Sequence, residues 1–422
     1  MPRELVDPRP AIPAAYRTEE REAIQSMARD FAMNKVLPAA NELDPEHGMI
    51  PDELRKEMGQ LGFFGITIPE KYDGLGLGVF EYALITEELA RAWMSVASII
   101  ARSGIAAGLD PSQKAVYYPK AARGEWLGSF AMSEPDAGSD IASIRTRADK
   151  VADGWVLNGQ KMWCTFADQS DAILVVARTT PYDPDNRHRG IRRFILHKEP
   201  GTFPDGCTGN PIRKIGYHGW NTYDLSFTDC FVPEDGLLGY EREQAAGASS
   251  GSSGAKRPGG DRAGFIAAAR GMTIPRIHTA ARSIGLARGA LEDSVAYVQE
   301  REQFGRPIGD FQAMRFKIAK MASEVEASRA LMYQVATNTD LGGYGNTTAP
   351  DMEGAMVKYL AAEMSERVTS EALQIHGGAG YTTDFPIERY WRDARLTKIF
   401  EGTSEIMLRL VSDSLLPPTP FR

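Results

Sequence analysis

Two stretches hold the residues best suited to chemistry: AMSEPDAGSD at 131–140 and IFEGTSEI at 399–406. In the first, hydroxyls and Gly138 share a tight turn, so successive backbone N–H groups can converge on an oxyanion or a cofactor carbonyl. In the second, a lone carboxylate, Glu401, stands between Phe400 and Gly402, just ahead of the Thr403 hydroxyl. A carboxylate beside an aromatic ring is partly desolvated, and desolvation raises its proton affinity. A base that draws a proton from carbon near neutral pH needs that property. Together the stretches point to cofactor chemistry with a glutamate base.

The elements that position them follow from length and pattern. A chain of 422 residues is too long for one hydrophobic core and divides into two or three domains. Its composition is 43% hydrophobic and 25% charged, as in a soluble globular protein, and no apolar run reaches membrane-spanning length. The net charge of −8, with dispersed basic residues, argues against nucleic acid as a main partner. Three cysteines without metal-ligand spacing imply neither a metal site nor a disulfide framework, and a cytoplasmic location is the expectation.

Residues 1–128 read as a helical domain. Thr18 followed by Glu19, Glu20 and Glu22 is a helix start, Pro51 opens another helix, and the apolar stretch YALITEELARAWMSVASIIARSGIAAG reads as one long buried helix. Residues 129–240 switch to short β-rich runs split by DG, NG and PG turns, which predicts a small antiparallel barrel or sandwich. Residues 241–264 are rich in Gly and Ser and read as a flexible loop, where Lys256, Arg257 and Arg262 are either solvated or within reach of a phosphorylated ligand. Residues 265–422 return to helical periodicity. Ala280, Ala281, Gly285, Ala287 and Gly289 there suit close helix packing.

Five ordered motifs, SEPDAGSD, NGQKMWCT, REQFGRPIGDFQ, QIHGGAGY and FEGTSE, span the chain from about residue 17 to 415. In them the chain resembles the acyl-CoA dehydrogenases, FAD enzymes that desaturate acyl-CoA thioesters between the α and β carbons. The resemblance implies an N-terminal α-domain, a middle β-domain and a C-terminal four-helix bundle, assembled as tetramers or dimers with FAD shared across an interface. It implies that Phe130, Met132, Ser133 and Ser139 line the flavin and its pyrophosphate, Ser139 also facing substrate. Trp163 would pack along the ring, with Thr165 donating to N5. Arg301, Gln303, Phe304 and Gln312 would hold the adenosine-diphosphate half of FAD from a neighbouring subunit, with Gln374, Gly377 and Gly378 approaching the same diphosphate and Thr403 and Glu405 the adenine side. Glu401 would be the base, with Gly402 and Arg276 as substrate contacts and an electron-transfer flavoprotein as the acceptor.

Elementary chemistry agrees with several of these roles. Glycines at 377 and 378 let backbone approach phosphate, Arg301 offers a planar fork, and Trp163 a flat apolar face. Taken singly, each also has an ordinary structural reading: HGGAG as a helix C-cap, Trp163 as barrel core, Arg276 as a solvated charge. The alternative functions are a flavin oxidase or monooxygenase on the same fold, and a non-catalytic flavin-binding protein. By the same resemblance the acyl chain would end near Ala97, Ala101, Arg102 and Ser103, where the small residues suggest room and Arg102 is either a polar end or a side chain reaching solvent.

Overall fold

The computed structural model describes residues 12–238, 272–342 and 349–417. The Gly/Ser-rich stretch at 241–264, with Lys256, Arg257 and Arg262, lies outside the described residues.

The N-terminal helices are α1 Glu19–Phe31, α2 Leu37–Leu43, α3 Asp52–Gln60, α4 Val79–Ala92, α5 Met94–Ile99 and α6 Pro111–Ala122. The Thr18 side chain accepts from the Arg21 amide and caps α1, as its sequence predicts. Every residue of α4 is buried, Glu81, Glu87, Glu88 and Arg91 included. The expected single long helix is broken at Trp93, whose backbone is extended (φ −156°, ψ 113°). The break is tied from outside: Trp220 Nε1 donates to Ser95 O at 2.8 Å, and the Ser95 hydroxyl donates to His218 O. After α5 the chain tightens into a 3₁₀ turn, Ile100–Gly108, which carries Arg102.

The middle of the chain forms a seven-stranded sheet with β1 Gly128–Ala131, β2 Arg147–Val151, β3 Gly154–Thr165, β4 Ala172–Arg178, β5 Ile191–His197, β6 Cys207–Pro211 and β7 Thr222–Pro233. The predicted antiparallel pairing holds for β2–β3, β3–β7, β6–β7 and β4–β5. β1 instead lies parallel to β4, since it arrives from the helical domain rather than from a hairpin. β4 is buried at all seven positions, so it reads as a continuous apolar run without alternation.

The helices α7 Thr273–Glu300, α8 Gln312–Asp340, α9 Ala349–His376, α10 Ile387–Thr397 and α11 Ser404–Leu415 complete the described chain, with a two-residue hairpin, β8 Glu302–Gln303 and β9 Arg306–Pro307, between α7 and α8. α7 lies against α4 at very short range. A Cβ on Gly285 would stand 2.4 Å from Glu87 O, and one on Gly289 2.9 Å from Arg91 O. Backbones that close leave no space for water, so charges at the seam must pair. Arg288 bonds Glu87 at 2.9 Å and Glu88 at 2.5 Å, Arg91 bonds Glu292 at 2.7 Å, and Arg329 of α8 bonds Glu87 at 3.0 Å. Asp340, the last residue of α8, accepts from the Val79 and Phe80 amides at 2.6 and 3.0 Å and so caps α4.

Gly285→Ala should therefore overpack the α4–α7 seam and destabilise the protein by about 1–3 kcal/mol. A fall in the urea midpoint at unchanged m-value is the expected outcome.

Candidate active site

The segment leaving β1 is held from beneath. Lys161 of β3 is fully buried and bonds Glu134 at 2.8 Å and Met132 O at 2.9 Å. The Arg145 and Thr146 amides converge on the other side of the Glu134 carboxylate, at 2.6 and 2.9 Å. Burial alone would raise the Glu134 carboxyl, but Lys161 and these donors hold it below its ordinary value. The anion gathered by amides in this loop is thus the chain's own Glu134. Phe130, Met132 and Ser133 line up partly exposed beyond it, and Ser139 stands exposed on the turn.

β3 reaches the same place from the other side. The Met162 amide donates to Ser133 O at 2.8 Å, joining the two segments. The β3–β7 register slips between Lys161 and Cys164, and the bulge turns Trp163 outward. Trp163 has φ +63° and is 57% exposed. A large aromatic in the left-handed region, facing solvent, is an arrangement a ligand repays. Thr165 shares a hydrogen bond with the Thr222 hydroxyl at 3.1 Å. Lys214, which also reaches Thr222 at 3.3 Å, is lowered by burial to about 8.

Glu401 occupies the loop between α10 and α11, at φ +53°, followed by Gly402 at φ +97°. Two consecutive left-handed residues make a sharp corner, costly for a side chain other than glycine. The corner is fixed by three contacts: the Ser404 amide donates to Lys398 O at 3.1 Å, the Thr403 hydroxyl caps α11 by accepting from Ile406 N, and Lys358 Nζ donates to Gly402 O. Lys358 is buried, and its ammonium is lowered by that burial to about 8.

The Glu401 carboxylate meets α7. Arg282 Nη2 donates to its Oε2 at 2.7 Å and the Thr279 hydroxyl donates to the same oxygen. Arg282 also lies over the Phe400 ring at 4.6 Å. This corrects the expectation drawn from sequence. Burial does push Glu401 up, but Arg282, Thr279 and the surrounding positive charge outweigh it and hold the carboxyl at about 2. An aromatic neighbour marks desolvation in a sequence; a cation on another helix, 119 positions away, leaves no such mark.

A short segment links the two halves of the site. Tyr217 packs edge-on against Phe400 with centroids 6.0 Å apart, and its amide donates to Asp393 of α10 at 2.6 Å. At its other end the Phe166 amide donates to Asn221 O at 2.9 Å. Asp393 is wholly buried and its carboxyl is raised by that burial to about 6. Lys214, Tyr217, Asp393, Lys358, Thr279 and Arg282 carried no sequence signal beyond their types. Spatial pairing alone brings them to the site.

Other anticipated residues lie elsewhere in the single chain. Arg301, Gln303 and Phe304 are exposed on or beside the β8–β9 hairpin and Gln312 is exposed at the start of α8; Phe304 is 94% exposed with φ +54°. Among the described residues none of them bonds to β3 or the Glu401 loop. Gln374, Gly377 and Gly378 are exposed at the end of α9, and Gly377 at φ +60° does terminate the helix. No atom lies within 4 Å of a Cβ placed on Gly377 or Gly378, so their backbone borders open space. Glu405 is exposed. Arg276 is buried and faces Asp351 at 3.3 Å, so it is not the solvated charge of its ordinary reading.

Fold and site define a class: a chain of helical, β and helical parts, with the pinned Glu401 carboxylate on one part and the exposed Trp163 ring on another. Three family models match in order, the acyl-CoA dehydrogenase N-terminal domain over residues 18–125, its middle domain over 129–230 and its C-terminal domain over 262–416. An acyl-CoA dehydrogenase of Bacillus subtilis is 37% identical, covering 95% of this chain and 99% of the relative. A (2S)-methylsuccinyl-CoA dehydrogenase of Cereibacter sphaeroides is 36% identical, covering 94% of this chain and 70% of the relative. Butyryl-CoA dehydrogenase of Megasphaera elsdenii superposes with a TM-score of 0.82 at 32% identity, covering 94% of this chain and 98% of that one. The chain belongs to the acyl-CoA dehydrogenase family and is an FAD-dependent oxidoreductase of acyl-CoA. No helix among the described residues is long and apolar enough to cross a membrane. The residues present fit the cofactor: a ring platform at Trp163 and open glycine backbone at 377–378.

Arg282→Met should remove the charge that holds the Glu401 carboxyl down, leaving burial to push it up. The sign is therefore upward, and a base must be ionised to act. The acid limb of flavin bleaching by substrate, followed against pH, should move to higher pH in the variant.

Proposed function

We propose that the enzyme desaturates an acyl-CoA thioester between its α and β carbons with Glu401 as the base. The observation that carries this reading is the Glu401 corner itself, a carboxylate on two left-handed residues, pinned by Lys358 and linked through Phe400 and Tyr217 to the strand bearing Trp163 and Thr165. Strain of this kind persists where the surroundings hold it, and it aims one side chain.

Glu401 takes the α-proton as its own carboxylate is neutralised. FAD, when bound, supplies the two-electron acceptor for the β-hydrogen that leaves as hydride. The developing negative charge on the thioester oxygen needs donors, and the Glu401 amide N–H donates to no carbonyl among the described residues. Thr165 and Trp163 would hold the ring, with Phe130, Met132 and Ser133 beside it and Ser139 toward the pyrophosphate. Arg301, Gln303, Phe304 and Gln312 would reach a neighbouring subunit's cofactor. The 94% exposure of Phe304 on a left-handed hairpin supports a contact between subunits, in a dimer or tetramer. Gln374, Gly377, Gly378, Thr403 and Glu405 would border the diphosphate and adenosine, with Gly402 at the substrate. Arg276 on α7, whose buried Nε has no hydrogen-bond partner, would be a further substrate contact. An electron-transfer flavoprotein is the expected acceptor and the cytoplasm the expected location. The relatives' names carry different acyl groups, methylsuccinyl and butyryl, so they do not choose one for this chain.

Glu401→Gln keeps the shape of the corner and removes the base. The variant should purify yellow, while anaerobic bleaching of its flavin by acyl-CoA falls by about 10²–10⁴. Bleaching at the wild-type rate would refute the assignment, and steady oxygen consumption without an added acceptor would favour an oxidase.

A further inference from the structure

Lys214, on the segment between β6 and β7, is a half-buried cation that forms no ion pair among the described residues. Its ammonium donates to Trp220 O at 2.5 Å and to the Thr222 hydroxyl at 3.3 Å, and it lies over the Tyr217 ring at 5.4 Å. Asp393 is the carboxylate whose charge bears on it, yet that carboxylate accepts from the Tyr217 amide instead. Withdrawing an ammonium from water without a counter-ion is costly. The contact to Trp220 O closes the segment, but a neutral donor would do that as well. The charge itself calls for a use, and the Thr222 hydroxyl shows where it is spent.

Thr222 stands opposite Thr165 in the β3–β7 ladder, with the two hydroxyls 3.1 Å apart. Cys164 and its partner Tyr223 pack in the barrel core, so the two threonines share the other face, two positions along β3 from Trp163. An ammonium only donates, so the Thr222 oxygen accepts from Lys214. Thr222 is 3% exposed, and Thr165 is the remaining partner of its hydroxyl. Were Thr222 to accept from both neighbours, its own buried proton would have no acceptor, which is unfavourable. One direction is therefore preferred: Lys214 to Thr222 to Thr165. The Thr165 proton then has no acceptor among the described residues and is left as a donor beside the Trp163 platform. Linked hydrogen bonds polarise one another, and a chain that begins at a charge ends in a stronger donor.

We propose that Lys214 is a positioning residue of the cofactor site: through Thr222 it directs and strengthens the Thr165 hydroxyl as a hydrogen-bond donor to N5 of the flavin. A firm donor there draws electron density from N5 and favours acceptance of hydride. Lys214 touches neither cofactor nor substrate; it acts through two hydroxyls. The inference rests on the reading above, in which Thr165 holds the ring.

The test reads cofactor binding without substrate. The full-length enzyme is equilibrated with FAD and 5-deaza-FAD together, the second having C–H in place of N5 and so no acceptor there. The native chain should favour FAD by on the order of tenfold. Lys214→Met should cut that preference to about twofold, and Lys214→Arg, which keeps a charged donor, should retain most of it. Thr222→Val, a smaller change that breaks the chain at its middle, should match Lys214→Met and carries the test alone if that variant does not fold. The double variant should lose nothing further, since both changes cut one chain. Single variants that keep the native preference, or losses that add in the double variant, overturn the role of Lys214 while leaving the Thr165 contact intact. A native enzyme that binds both cofactors equally overturns the Thr165 contact and the chain together, whereas desaturation is judged separately, by bleaching of the FAD-loaded native enzyme with acyl-CoA.

Discussion

The close approach of α4 and α7 is the constraint on which the rest of the molecule depends. Gly285 and Gly289 remove the side chains that would hold the two backbones apart, and the carbonyls of Glu87 and Arg91 fill the space. At that separation the facing charges lose water, so Glu87, Glu88, Glu292, Arg91, Arg288 and Arg329 survive only as a fully cross-linked set. The same contact fixes the rotation of α7 and points its N-terminal turns, with His278, Thr279 and Arg282, at α5 and the Glu401 loop.

Two opposing effects meet at Glu401. Burial favours the protonated carboxyl, while the Arg282 guanidinium and the Thr279 hydroxyl favour the carboxylate, and the latter prevail. A carboxylate held that low is ionised but a weak proton acceptor. Whatever draws Arg282 away, or excludes the remaining water from a carboxylate that still shows 32% of its surface, strengthens it. The left-handed backbone at 401 and 402 keeps the carboxylate aimed while its partner changes, because its position is set by Lys358 and the α11 cap rather than by the ion pair.

Much of this was legible in the chain. The helical, β and helical parts follow from periodicity, and the small-residue face at 280–289 announces the tight helix contact. Glu401 and Trp163 stand out through their motifs, although neither the bulge nor the positive φ at Trp163 has a local sequence cue. The break at Trp93 was not legible, because bonds from Ser95 to His218 and Trp220 decide it, more than a hundred residues away. The charge state of Glu401 was hidden for the same reason. Sequence shows which groups neighbour each other along the chain, whereas a proton's affinity answers to neighbours in space.

The claim that Glu401 removes the α-proton can be isolated from every later step. A CoA thioester without β-hydrogens has no hydride to lose, yet its α-hydrogens remain open to exchange. Incubated in D₂O with the flavin-loaded enzyme and followed by NMR, it should take up α-deuterium with the native chain and only at the background rate with Glu401→Gln. Equal uptake with both would contradict the account.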